Sequence, residues 1–458
     1  MPTVVERIAE YANGLTYEDI DATTRDYAKR VLLDALGCAF GAIEGEPVRI
    51  VRRVVKELGG SPQATLIGQG QKTSTHLAAL ANGVAIRYLD FNDVYFGPAW
   101  TAHPSDATGS LLAVAESQGR SGRDLLTALV LTYEIQMRFS DLPVARNLWH
   151  EGWDHSCSCA YASATGVAKL LGLDTQRIAH AIALSGARAN TLSEIRVGDI
   201  PMDKALSAPA AAANSVLYGL LAKEGFTGCS TLLEGRFGFK NAVAKGADVE
   251  PLVPEKGVFL INKVGLKPYP VEGMTIAMVQ AGVEVGIENK IKPEEIEAVK
   301  IITHEEALTK PSWGPKKLRP TSKETADHSF PYCVAVALVA GECTPEQFSQ
   351  RWLDDATVAR LISITKMAST PEMSAIYKKG HRPAAVEVTT KRGRFIKDVP
   401  YPTGDPKNPM AWGQVVKKFL PMAATVIGKE KAERCVARIE KLEELKHMAE
   451  LAELISGR

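Results

Sequence analysis

Side chains able to exchange protons gather in a few short stretches of this chain. The first is RYLDFNDVYFGPAWTAHPSD at residues 87–106, which sets Asp90, Asp93, His103 and Asp106 among aromatic and small residues. A loop of that composition makes poor core and good site, because loops present reactive groups on a rigid scaffold. The competing account is that Asp90 and Asp106 cap helix ends while His103 bonds to the backbone.

The second stretch is WHEGWDHS at 149–156. Its His-Glu pair opens like a zinc-binding H-E-x-x-H run, but the next histidine comes five residues on. At about 100° per residue it falls about 140° around a helix, so the two rings cannot face one metal. Gly152 weakens a helix there further. His155 is the stronger candidate, since it would stand before a helix N-terminus, where a neutral imidazole is favoured and anions bind. His150 reads as structural or surface.

Lys204 stands at the mouth of an uncharged, Ala-rich run, and Lys267 sits in the Pro-braced turn GLKPYPVEG at 265–273. A lysine in a cleft needs an anion, either a protein carboxylate or one on a substrate. The ordinary alternative is a surface lysine with its stem laid over apolar neighbours. The last stretch, ADHSFPY at 326–332, brings His328 and Tyr332 to a helix start where Asp327 or Ser329 could be the N-cap. Phosphate-binding loops, dinucleotide fingerprints and serine-nucleophile elbows are missing from the sequence, which leaves acid–base chemistry by side chains.

These stretches need elements to hold them. Apolar spacing predicts helices at about 26–40, 75–89, 108–118, 125–138, 160–171 and 175–187, the last capped by Asp174. The uncharged run at 205–222 has the length of a membrane span, yet its Pro209, Asn214, Ser215 and many alanines predict a helix buried among other helices. Beyond about residue 265 the texture changes. A helix at 274–288, a strand through VKIIT, a helix at 325–340, a capping box at Thr344–Gln347 and a hairpin over 384–399 turning at Arg392-Gly393 predict an α+β unit. After the Pro/Gly loop at 401–409 the chain is read as helix through Arg458. The expected architecture is mainly α: a discontinuous helical domain, 1–263 plus 406–458, with an α+β domain at 264–405.

The 458 residues carry 54 Lys+Arg against 53 Asp+Glu, a net charge of +1, which argues against nucleic-acid or membrane-surface binding. It leaves room for a small basic pocket. Glu6 and Glu10 in an N-terminus without an apolar run predict neither a signal nor a transit peptide. The seven cysteines are scattered without a C-x-x-C pair, which suits reduced thiols in a cytoplasmic enzyme and gives no spacing for an iron–sulfur cluster.

Taken in order, LDFND with HPSD (89–106), GWDH (152–155), the Lys204 segment with GFTG (225–228), EGRFGF (234–239), KPYPVEG (267–273) and ETADHSFPY (324–332) resemble the MmgE/PrpD family. That family includes 2-methylcitrate dehydratase, cis-aconitate decarboxylase and an iminodisuccinate epimerase. The resemblance implies a helical domain with an inserted lid, an active site in the cleft between them, and a homodimer. Its site positions fall on Asp93, His103, His155, Lys204, Lys267 and Tyr332, and DHS-x-PY around His328 is nearer the dehydratase branch. Met274 and Ile276 stand where many members carry a histidine and an amide, and Asp203 where many carry tryptophan.

The implied activity is a cofactor-independent, metal-free hydro-lyase acting on a small polycarboxylate such as 2-methylcitrate or citrate. Dehydration needs a base for the proton α to a carboxylate and an acid for the departing hydroxyl. His103 and His155 would take those roles in either order, oriented by Asp93, with Tyr332 donating a hydrogen bond. Lys204 and Lys267 would stabilise the enediolate-like charge, and His328 would help to hold the substrate. Decarboxylation or epimerisation on the same fold, a metal-dependent lyase, and a non-catalytic carboxylate-binding scaffold are the alternatives.

Overall fold

The computed structural model describes residues 1–309 and 311–457. Seven helices carry most of the first half: Ala22–Gly41, Thr75–Tyr88, Thr108–Ser117, Gly122–Ser140, Ser156–Leu171, Thr175–Gly186 and Asp203–Lys223. Their starts follow local chemistry, with the Asp21 and Asp174 carboxylates accepting from Thr24 N and Arg177 N. Small residues let them pack closely. A Cβ on Gly109 would lie 2.5 Å from Gly83 N, so the helices holding these two glycines meet backbone to backbone.

The Ala-rich helix Asp203–Lys223 is the one described helix long and apolar enough to cross a membrane. It packs against Thr75–Tyr88, Ser156–Leu171 and Thr175–Gly186. Burial is one-sided, however: Ala208, Ala212 and Val216 face the core, while Leu206, Leu217 and Leu220 are exposed. A small-residue face toward the bundle and a leucine face away from it share one uncharged sequence.

A four-stranded sheet follows, in the order Thr365–Ser369, Ile296–Thr303, Ala384–Thr390, Gly393–Val399. The first pair is parallel and the other two antiparallel. Helices Ile276–Glu288 and Phe330–Ala340 pack on each other, and the former covers the hairpin. The hairpin turns at Lys391-Arg392, one residue earlier than the sequence suggested, with Gly393 at φ 127° opening the second strand.

Two expected helices are interrupted. In place of one helix at 325–340, a turn at Lys323–Ala326 ends before Phe330–Ala340 begins. Pro331 is the reason: inside a continuous helix it would lack an N–H and clash with the preceding turn, so the helix restarts with Pro331 in its first turn and Ser329 as N-cap. The C-terminal stretch is three helices, Trp412–Ile427, Lys429–Glu440 and Ala449–Ile455, separated first at Gly428 with φ 81°. Arg458, where the sequence reading ended the last helix, lies outside the described residues.

Buried apolar residues form two large clusters. One draws on Val4 to Leu266 and again on Met410 to Ile455. The other runs from Val271 to Val399. Helix Trp412–Ile427 returns to the first cluster, with Phe419 edge-on to Phe40 at 5.9 Å. From this helix Lys418 Nζ donates to Asp34 Oδ1 at 2.7 Å, Phe91 O at 2.7 Å and Lys267 O at 2.9 Å. The chain's last part therefore braces the loops that hold Asp90 and Lys267.

Candidate active site

A cavity of about 600 Å³ lies between the two clusters, lined from the first by Arg87, Asp90, His103, His155 and Arg196 and from the second by Met274, Lys317, His328 and Arg382. Loop 87–106 reaches it by a sharp path. Asp90 follows helix Thr75–Tyr88 in the left-handed region at φ 52°, a conformation that costs a non-glycine residue and persists only where its surroundings hold it. The loop then bridges to Gly265 through Val94 and turns through Tyr95–Phe96 and Thr101–Ala102. At Gly97 a Cβ would fall 2.2 Å from Ser140 O, so only glycine fits.

His103 and His155 meet in this cavity, ring centroids 5.2 Å apart and edge to face. His103 Nδ1 lies 2.6 Å from Asp93 O. A carbonyl only accepts, so Nδ1 carries the proton and Nε2 keeps its lone pair. Burial, reinforced by Arg87 and Lys267, holds the ring's pKa well below the usual histidine range. His155 is the N-cap residue of Ser156–Leu171. Its Nε2 is 3.3 Å from Asp106 Oδ2, and its Nδ1 is 3.5 Å from Asp154 Oδ1 and 3.4 Å from Arg196 Nη2. Burial opposes charge on Asp154, but Arg196 and His155 outweigh it and keep this carboxyl well below its ordinary range.

Asp90 anchors a second cluster. Its Oδ1 accepts from Arg87 Nη1 at 2.6 Å and Lys267 Nζ at 3.0 Å, while Oδ2 faces Lys204 Nζ at 3.3 Å and His328 Nε2 at 3.8 Å. Burial disfavours its charge, yet Lys204, Lys267 and Arg87 prevail and hold the carboxyl far below normal. Burial also pushes Lys204 down to about 8, against the pull of Asp327 and Asp90. It pushes His328 down to about 4, with Lys204 acting the same way. Asp327 accepts from Lys323 Nζ at 2.7 Å and pairs with His328 Nδ1.

The residues singled out in the sequence thus separate. His103, His155 and His328 line the cavity together. Lys267 also reaches it, but its three N–H groups go to Asp90 O, Asp90 Oδ1 and Val271 O, leaving none for a substrate. Lys204 does not line the cavity and stands behind Asp90. The Asp93 carboxylate points away, accepting from Ser105 N and Oγ, and burial raises its pKa to about 7 against the Ser105 and Tyr133 hydrogen bonds. It is the Asp93 carbonyl that orients His103. Tyr332 is the clearest correction: its hydroxyl donates to Gln347 O at 2.7 Å inside the second cluster, 1% exposed, so core packing has already used it.

Several other cavity residues carried no legible signal. His150, read as structural or surface, lines the wall with Trp149; Met274, which the sequence did mark as standing where many family members carry a histidine, lines it as well. Gly152 at φ 94° ends the short turn Leu148–Glu151, so His150 and His155 never share a helix. Arg196, Lys317 and Arg382 lie in segments with no recognisable pattern. Their placement depends on contacts distant in sequence, such as Arg196 with Asp154.

Asp90, Asp327 and His328 offer donor atoms within 4.8 Å of one another, the spacing a metal ion would need. The charges do not fit one. Arg87, Lys204 and Lys267 already surround Asp90 and Lys323 holds Asp327, so a divalent ion would meet net repulsion.

The MmgE/PrpD N-terminal domain model matches residues 6–252, and the MmgE/PrpD C-terminal domain model matches residues 269–444. Among curated relatives, the 2-methylcitrate dehydratase-like protein oryR of Aspergillus oryzae is 28% identical over 89% of this chain and 86% of its own. The 2-methylcitrate dehydratase of Cupriavidus necator is 28% identical, covering 88% and 84%. The cis-aconitate decarboxylase of Aspergillus terreus is 25% identical, covering 99% and 96%.

Proposed function

The chain belongs to the MmgE/PrpD family, and from that premise we propose that it is a lyase that removes water from a small polycarboxylate such as 2-methylcitrate or citrate, using side chains alone. The observation that carries this reading is the histidine pair in the cavity, with His103 Nε2 left free by the Asp93 carbonyl. His103 takes the proton α to a carboxylate. His155 delivers a proton to the departing hydroxyl from Nε2, which Asp106 Oδ2 faces at 3.3 Å. Lys204 and Lys267 act as positioning residues through Asp90, and Arg87 brings positive field to the cavity wall where enediolate charge develops. His328 contributes from the second cluster.

In this reading, residues 264–405 form a lid inserted into a helical domain of 1–263 plus 406–458, a division supported by the two apolar clusters and the return of helix Trp412–Ile427. A homodimer is supported by the exposed Leu206, Leu217 and Leu220 face, and sedimentation of the purified chain tests it. A cytoplasmic setting is supported by seven cysteines that are all free.

The direct test is purified protein with 2-methylcitrate or citrate, followed by ultraviolet absorbance of the unsaturated product. Activity unchanged by chelation is expected; loss on chelation that one divalent metal restores would overturn the metal-free mechanism. Absence of unsaturated product, with α-proton exchange from deuterated solvent into a racemisable dicarboxylate, would instead favour an epimerase. Decarboxylation of cis-aconitate is the second reading, supported by the near full-length match to the Aspergillus terreus decarboxylase, and carbon dioxide release would reveal it.

A further inference from the structure

Two cations on the second cluster's side of the cavity have no carboxylate within ion-pair distance among the described residues, Asp327 and Glu272 acting on Lys317 and Glu272 on Arg382 only from beyond it. Lys317 lies in the short turn Pro315–Leu318, is 4% exposed, and its Nζ has no hydrogen-bond partner among the described residues. Arg382 precedes strand Ala384–Thr390 and is half-buried, with its accessible part on the cavity. Its Nη1 donates to His381 O at 3.0 Å, and its Nε is buried without a partner. Neither residue forms an ion pair within 4.0 Å among the described residues. The guanidinium sits 3.8 Å from the Phe96 ring centre and 4.5 Å from that of Tyr377.

An unanswered buried cation is costly, and a fold ordinarily resolves it with an acid, as this one does at Asp90. Here the strain registers as lowered basicity: burial pushes Lys317 down and Arg382 down to about 10. Aromatic faces against a guanidinium fix its plane and leave its N–H edge for an incoming group. A planar fork and an ammonium on the wall of one cavity are donors that suit a carboxylate.

We infer that Lys317 and Arg382 form a subsite for the substrate carboxylate that takes no part in bond breaking, and so select which polycarboxylates the enzyme accepts. This rests on the polycarboxylate reading above. The reacting end meets the histidines on the first cluster and the remote carboxylate meets the second, so the substrate itself ties the two sides together. Binding energy from that remote group then serves to orient the reacting carbons.

The probe is tricarballylate, a tricarboxylate with no hydroxyl to lose, titrated calorimetrically into the full chain and into Lys317→Met, Arg382→Gln and Arg382→Lys. Lys317→Met and Arg382→Gln are each expected to weaken binding about 10- to 100-fold. Arg382→Lys should recover part of the loss, since it restores charge without the fork. For the substrate turned over, KM should rise by more than kcat falls. Lys317→Met should melt no lower than the parent. Tricarballylate binding that is unchanged in both Lys317→Met and Arg382→Gln overturns the subsite and leaves the lyase reading standing. A parent chain that binds neither tricarballylate, citrate nor 2-methylcitrate overturns the polycarboxylate reading and the subsite with it. A Lys317→Met protein that fails to fold assigns that lysine to structure, and Arg382→Gln then decides the remaining half alone.

Discussion

The Asp90 cluster and the Lys317–Arg382 wall hold the same kinds of side chain and use them in opposite ways. Around Asp90, Arg87, Lys204 and Lys267 converge on one carboxylate, and every N–H of Lys267 is occupied. On the wall, the Lys317 ammonium and the Arg382 Nε find no acceptor. A cation's task is therefore set by what answers it. Where the protein supplies the acid, the group stabilises the fold and shapes the site from behind; where it does not, the group is left for a ligand.

The strongest challenge to that contrast is Asp90→Ala. It would strand three buried cations at once, and loss of one partner from a buried pair alone costs about 3–5 kcal/mol, so denaturant titration should show a protein barely folded or unfolded. A melting temperature close to the parent's would erase the distinction. Next come His103→Asn and His155→Asn, which should lower turnover by about 10²- to 10⁴-fold while melting stays near the parent's. Equal losses of activity and stability would mean that the pair is structural.

A closer comparison sets Lys267→Met beside Lys317→Met. The first leaves Asp90 O, Asp90 Oδ1 and Val271 O short of a donor and should cost about 3 kcal/mol in urea unfolding, whereas the second removes an unanswered charge and should cost nothing. Similar costs for both would place the two lysines in one class.

An effect spread over pH and not seen at any single acidic condition concerns Asp93, three residues from Asp90 but with no ion pair among the described residues. Its native carboxyl keeps a proton up to about pH 7, whereas the unfolded chain releases it near 4. The unfolded state thus binds fewer protons in that window, and stability falls as pH rises through it. Relative to Asp93→Asn, the parent should lose up to about 1.4 kcal/mol per pH unit between pH 4 and 7, then level off. A difference between the two that does not vary with pH would refute the raised pKa.

Much of the helical framework was legible because its signals are local. Asp174 caps the helix it was expected to cap, and the apolar spacing at 26–40 marks the interior of Ala22–Gly41. Where the structure departs from the helical pattern, a local breaker decides: Pro331 inside the expected helix at 325–340 and Gly428 in the C-terminal one. His103, His155 and His328, singled out in the sequence, all line the cavity. Tyr332 was misplaced because spacing cannot say which way a residue at a helix start will turn, and the second cluster took its ring.

The helices expected at about 75–89, 108–118, 125–138, 160–171 and 175–187 and the switch from helix to an α+β texture near residue 265 follow from the sequence by itself. Each rests on residues close along the chain. Which cations are spent and which are spare was decided only by tertiary structure. Lys267 meets Asp90 across 177 residues and Lys418 meets Asp34 across 384, while Arg382 comes to rest on Phe96. Electrostatic pairing depends on distance in space and on exclusion of water, and neither is written in the spacing of a motif.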